Sequence, residues 1–154
     1  MKKPIAILVA GHSNWGKSRT LRALTENKLF RNYQFSDTRF FIRRMSNDDY
    51  TEGYRDFIDG CVAAPNMNIL AAFCPHFEKN DLRFTEHSLT QLKTQYDLHI
   101  FALKYQYNTA ICITDQELAS MSRFGNVTTF DDGNAEAQVR ADALEDFILT
   151  VINQ

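Results

Sequence analysis

Ile5-Ala6-Ile7-Leu8-Val9-Ala10-Gly11-His12-Ser13-Asn14-Trp15-Gly16-Lys17-Ser18 is the stretch on which the reading of the whole chain turns. Its first six residues are apolar without a break, the pattern of a strand buried on both faces of a parallel sheet. Lys2 and Lys3 resemble the charged start of a secretory signal, but the apolar run is too short for one and stops at Gly11. From Lys17 onward, Leu21, Leu24 and Leu29 recur at helical spacing, which predicts a helix over about 17–29 with Arg19, Arg22 and Glu26 largely outward. Two glycines occupy the join between strand and helix. They let the backbone turn tightly and aim successive N–H groups into one concavity. That concavity opens at the amino end of a helix, where unpaired N–H groups and the helix dipole favour an anion.

The same alternation continues along the chain. Apolar runs at 40–45, 67–73 and 98–103 and the β-branched run at 127–130 predict four further strands. The run at 40–45 is more polar than the first and is expected nearer an edge. Helical spacing predicts helices over 49–61 (Tyr50, Tyr54, Phe57, Ile58 and Cys61 inward), 85–96 (Leu89, Leu92 and Tyr96) and 135–152 (Val139, Ala143, Phe147, Ile148 and Val151). Thr114-Asp115-Gln116-Glu117 fits a capping box opening a short helix that Gly125 ends, with Leu118 and Met121 inward. Asp131, Asp132 and Asn134 stand where acceptors would suit the start of the last helix. The expectation is an α/β fold: one domain over residues 1–154, a parallel sheet of about five strands with helices on both faces. Its loops at the carboxyl ends of the strands would carry function.

With 154 residues, 44% hydrophobic and 23% charged, the composition is that of an ordinary globular domain. A net charge of −2 and a pI near 6.1 offer no broad basic footprint for nucleic acid or an anionic membrane. No apolar run approaches a membrane span. Cys61, Cys74 and Cys112 are odd in number and lack paired ligand spacing, so they are expected as buried free thiols in a reducing cytoplasm.

Gly11 to Ser18 reads G-x-x-x-x-G-K-S, the Walker A pattern, placed directly after an apolar strand and before a helix. In this the chain resembles the P-loop NTPase superfamily, specifically over 5–18 and compatibly, through its β/α alternation, over nearly its whole length. The resemblance implies a nucleoside triphosphate with Mg²⁺ as ligand. Gly11, His12, Ser13, Asn14, Trp15, Gly16, Lys17, Ser18 and Arg19 would surround the phosphates, Lys17 would serve the β- and γ-phosphates, and Ser18 would ligate the metal. It does not select a reaction, because one fold hosts hydrolases, kinases and switches.

Elsewhere the chain departs from that pattern. The strand ending at Phe73 runs into Cys74-Pro75-His76 and the one ending at Leu103 into Lys104, so neither supplies a metal-holding acid. The nearest substitute is Asn47-Asp48-Asp49. Asp48 or Asp49 would orient magnesium's waters or take a proton from an acceptor hydroxyl, or these residues cap the next helix. Asp37 is a weaker candidate. Residues that read guanine are missing around Leu103-Lys104-Tyr105-Gln106, which favours ATP over GTP, although Lys104 could lie along a base. Arg43, Arg44, Arg55, Arg83 and Arg123 are available for transition-state charge, but 105–114 has no arginine for a lid. His12 and Trp15 pack either on the nucleotide, on a partner or on neighbouring loops. His76, His87 and His99 show no mutual ligand spacing and no zinc pattern; His99 is expected packed in its strand. Together these readings predict Mg²⁺-dependent ATP binding with hydrolysis or transfer of the γ-phosphate. The alternatives are a small-molecule or nucleotide kinase, and a non-catalytic switch or assembly subunit that relies on a protein partner.

Overall fold

A computed structural model describes residues 2–26, 32–78 and 86–154. Leu29, Arg83 and Thr85 lie outside them. The described chain runs β1 (Ile5–Ala10), α1 (Lys17–Leu24), β2 (Asn32–Phe35), β3 (Thr38–Arg43), α2 (Thr51–Ala63), β4 (Asn68–Phe73), α3 (Glu86–Gln95), β5 (Asp97–Leu103), α4 (Asp115–Ser122), β6 (Asn126–Phe130) and α5 (Ala137–Ile152). The strands form one sheet in the order β2-β3-β4-β1-β5-β6.

β1 is central, pairing in parallel with β4 (Ala6 opposite Ile69, Ala10 opposite Phe73) and with β5 (Ile5 opposite Asp97, Ala10 opposite Ala102). Ala6 through Ala10 are wholly buried, as an unbroken apolar strand inside a covered parallel sheet requires. The side-chain period of two sorts the strands into two cores. Ala6, Leu8, Ile69, Ala71, Phe73, Leu98 and Ile100 face α2, α3 and α4 through Tyr54, Ile58, Leu89, Leu92 and Met121. Ile7, Val9, Leu70, Ala72, Phe101 and Leu103 face α1 and α5 through Leu21, Leu24, Leu144 and Ile148. The five helices thus cover both faces, as expected.

Three expectations need correction. The described sheet has six strands rather than five, because β2 pairs antiparallel with β3 across the two-residue turn Ser36-Asp37. β2 is short and half polar, and a Ser-Asp turn is a weaker hairpin signal than Asn-Gly, so its alternation did not stand out. α1 ends at Leu24 rather than near Leu29, with Thr25 and Glu26 already in a turn; β3 begins at Thr38 and lies nearer an edge than β1, as expected, with β2 outside it. The last helix starts at Ala137 and is rotated from its predicted face: Val139 is 51% exposed, whereas Arg140 is 7% exposed.

The caps divide. Thr114 makes both bonds of its box, accepting from Glu117 N at 3.1 Å while Glu117 Oε1 accepts from Thr114 N at 2.9 Å. α2 instead starts after Tyr50 and α5 after Glu136, neither with a side-chain cap bond. Asp132 accepts from Asn134 N at 3.0 Å and shapes the loop before α5 rather than the helix end. His99 is buried and bonded to Asp97 at 3.0 Å, as expected of a packed strand histidine. Of the three free cysteines, Cys74 is buried, Cys61 half-buried and Cys112 exposed, so burial holds fully for Cys74 alone. No helix among the described residues is long and apolar enough to cross a membrane.

Gly125, where α4 turns into β6, tests how closely this layer is packed. A Cβ there would stand 2.4 Å from the backbone oxygen of Leu98. Gly125→Ala is expected to cost about 1–3 kcal/mol through overpacking. Thermal unfolding would show this as a drop of several degrees, at roughly 2–4 °C per kcal/mol for a chain of this size.

Candidate functional site

β1 ends at the rim of the sheet, and the chain from Gly11 to Gly16 wraps over that rim before entering α1. Two residues make the turn with positive φ: Asn14 at 67°, which its short polar side chain tolerates, and Gly16 at 90°. Gly16 is the N-cap of α1 and offers no side-chain cap, and the first turn of the helix carries no acid. The helix therefore presents its positive end outward.

Arg140 holds this junction from behind. Its Nε donates to Thr20 Oγ1 at 2.8 Å and its Nη1 to Ala135 O at 2.7 Å, while Thr20 Oγ1 donates to Gly16 O at 2.7 Å. A Cβ on Gly16 would lie 2.6 Å from Arg140 Nη2. Only glycine satisfies both the left-handed backbone and the guanidinium pressed against it. Sequence spacing missed Arg140 because a charged residue on a helix is ordinarily assigned to the outer face.

Lys17 is 7% exposed, and its ammonium donates to the loop's own carbonyls, Gly11 O and His12 O, the latter at 3.0 Å. Burial pushes its pKa down from the ordinary lysine value, while Cys74, Asp49 and Asp48, in that order, push it back up.

In front of the loop is a cleft of about 530 Å³ lined by Ser13, Asn14, Trp15, Gly16, Lys17, Ser18, Arg19, Arg44, Asp49, Gln106, Tyr107, Glu136, Ala137 and Arg140. The volume is that of an ordinary small-molecule site. Four basic side chains (Lys17, Arg19, Arg44, Arg140) meet two carboxylates (Asp49, Glu136), so the lining carries an excess of positive charge. Ser18 and Asp49 give the cleft a hydroxyl and a carboxylate, the hard oxygen donors that suit a magnesium ion. Gly11 and His12 stand behind rather than in its lining. Trp15 is buried and meets the edge of the His12 ring at 5.1 Å, so it packs mainly within its own loop.

The fold separates the two adjacent acids. Asp49 faces the cleft, its Oδ2 accepting from Ser46 N at 2.9 Å and Ser46 Oγ at 3.3 Å. Asp48 turns the other way and lies 3.1 Å from His76 Nε2. Asn47 does not cap α2 either: it clasps Cys74 through Nδ2 to the carbonyl at 2.9 Å and Oδ1 from the amide at 2.7 Å. This double bond between side chain and backbone fixes the segment after β3 against the segment after β4. Asp48, Cys74 and His76 converge as a result, although no spacing in the sequence points to a metal set.

Other candidates fall elsewhere. Asp37 is exposed in the β2–β3 turn, at the amino end of β3 and hence at the opposite rim. Arg43 lies over the rings of Tyr54 and Phe57, Arg123 over Phe124, and Lys104 beside Tyr105; none of them lines the cleft. Gln106, Tyr107 and Glu136, which do line it, come from loops after β5 and β6 whose composition carries no signal of their role.

Arg140→Ala is expected to lower stability by about 2–4 kcal/mol, because hydrogen bonds to a charged group contribute about 1.5–3 kcal/mol and a cavity adds to that. Arg140→Lys should recover only part of the loss, since an ammonium cannot reproduce the guanidinium fork; equal melting of Arg140→Lys and the parent chain would refute the bracing role. No protein-family model matches the chain, and no curated protein or solved structure matches it.

Proposed function

We propose that this chain binds a nucleoside triphosphate, preferentially ATP, with magnesium at the cleft in front of 11–18, and cleaves or transfers its γ-phosphate. One observation carries the reading: the G-x-x-x-x-G-K-S loop joins a buried central strand to a helix whose uncapped amino end, together with Lys17, Ser18 and Arg19, borders a positively lined cleft. Backbone N–H groups and Lys17 would hold the phosphates, and Arg19 and Arg44 would add charge where it develops during transfer. Ser18 and Asp49 would hold the magnesium ion, directly or through its waters, and that ion would neutralise phosphate oxygens when bound. Asp49, rather than Asp48, is the acid placed to orient a nucleophile. Gln106, with a donor and an acceptor, and the ring of Tyr107 border the same cleft and would meet the base.

Lys17→Ala should remove binding of both Mg·ATP and Mg·GTP in calorimetry while the far-ultraviolet circular dichroism stays unchanged. Wild-type affinity in this variant would overturn the reading. The parent chain should bind Mg·ATP more tightly than Mg·GTP.

Ser18→Ala should lose the magnesium-dependent part of the affinity and keep most of what is measured in EDTA. The backbone groups that hold the phosphates survive the change. Equal losses in both conditions would exclude Ser18 from the metal.

Asp49→Asn keeps an acceptor for Ser46 N, so the turn before α2 should persist. Turnover should nevertheless fall by about a hundredfold or more, the usual consequence of removing a positioned acid or base. Product analysis then sorts the reaction. Phosphate released without an acceptor marks hydrolysis, ADP formed only with an acceptor marks a kinase, and tight binding without either marks a switch.

A further inference from the structure

We propose that Asp48, Cys74 and His76, completed by His12, bind a divalent transition-metal ion of the zinc class at a site separate from the magnesium position. The donor atoms of the first three all lie within 4.8 Å of one another. Cys74 Sγ is 3.1 Å from His76 Nε2, and the same nitrogen is 3.1 Å from Asp48 Oδ1. A single ring nitrogen carries either one hydrogen or one lone pair, so it cannot bond well to both neighbours at once. A cation at their common centre engages all three. The same geometry argues against a nucleophilic cysteine relay, which needs the thiol and the carboxylate on opposite nitrogens of the imidazole.

The donor set selects the ion. A thiolate with imidazole and carboxylate suits zinc and similar borderline metals, whereas magnesium and calcium take oxygen ligands. His12 supplies a fourth position: its Nδ1 is 3.8 Å from Cys74 Sγ and its ring centroid 6.1 Å from that of His76. Its other nitrogen, Nε2, lies 2.5 Å from Glu117 Oε2. A carboxylate on the far nitrogen is the arrangement that orients a metal-bound histidine and raises its basicity.

The frame is rigid and has an entrance. Cys74 is wholly buried and clasped by Asn47, which fixes its backbone and brings Asp48 alongside. The side chains of His76 and Asp48 are 16% and 13% exposed. His76 borders a second cleft of about 510 Å³, together with His12, Pro75 and Glu117. Because His12 belongs to the phosphate loop, loading this site would also tie that loop to the end of β4.

The test uses the full chain, treated with chelator and then titrated with Co²⁺ under reducing conditions. A single equivalent should give the visible d–d bands of a four-coordinate ion and a near-ultraviolet thiolate-to-cobalt band, both abolished by competing Zn²⁺. Cys74→Ser should lose the thiolate band, and His76→Gln, at a more exposed position, should weaken binding with less risk to folding. Glu117→Gln should keep the band but lower affinity by about tenfold or more, as loss of an outer carboxylate does. Cys61→Ser and Cys112→Ser should match the parent chain. Lys17→Ala should retain the cobalt spectrum, so loss of triphosphate binding and loss of metal binding are read separately. The proposal is overturned if the folded parent chain gives no thiolate band. It is equally overturned if folded Cys74→Ser and His76→Gln bind like the parent chain, or if the band disappears with Cys112→Ser instead.

Discussion

Parallel pairing of β1 on both of its edges is the constraint from which the rest of the molecule follows. A strand hydrogen-bonded to β4 on one side and β5 on the other can be buried only if helices cover both faces. The five parallel strands then end at the same rim. Gly11, Ser46-Asn47-Asp48-Asp49, Cys74-Pro75-His76, Lys104 and Asp131 all follow strand ends, so one line of loops gathers residues from distant parts of the chain. The crossing connections that make parallel sheets slow to assemble are also what bring residues far apart in the chain to one edge.

Along that rim two polar clasps do the local positioning, and both bridge long stretches of chain. Arg140 reaches from α5 to Thr20 and lies against Gly16, which sets the entry of α1 from behind. Asn47 reaches Cys74 with both ends of its amide and fixes the relation of two neighbouring strand ends. Asn47 is fully buried and Arg140 nearly so, which makes their geometry expensive to relax. Between them stands Lys17, whose burial opposes its charge while the acidic groups opposite favour it.

The rim is also divided. Asp49 and Asp48 are adjacent in the chain yet point apart, because the turn at Ser46 holds one carboxylate at the cleft while the other meets His76. Ser18 and Asp49 border the first cleft, while Asp48, Cys74 and His76 gather away from it. His12 in the loop and Lys17 at the start of α1 are joined directly, Lys17 Nζ donating to His12 O at 3.0 Å.

Local order in the chain was enough to place β1, the turn and α1, because a six-residue apolar run, paired glycines and a helical leucine period act within a single strand–loop–helix unit. It was likewise enough for the capping box at Thr114, where both partners lie three residues apart. It missed β2, whose short half-polar run carries little signal before β3 pairs with it, and it missed Arg140 and placed Val139 inward, because their burial depends on which side of α5 meets α1. Tertiary structure alone decided that Asp49 and not Asp48 faces the cleft, and that Tyr107 and Glu136 line it. It alone brought Asp48 to His76 and Cys74 to His12, since contacts spanning 28 and 62 residues exist only after the parallel strands have aligned their ends. Spacing along the chain records what neighbours do; the register of a parallel sheet determines which distant residues become neighbours.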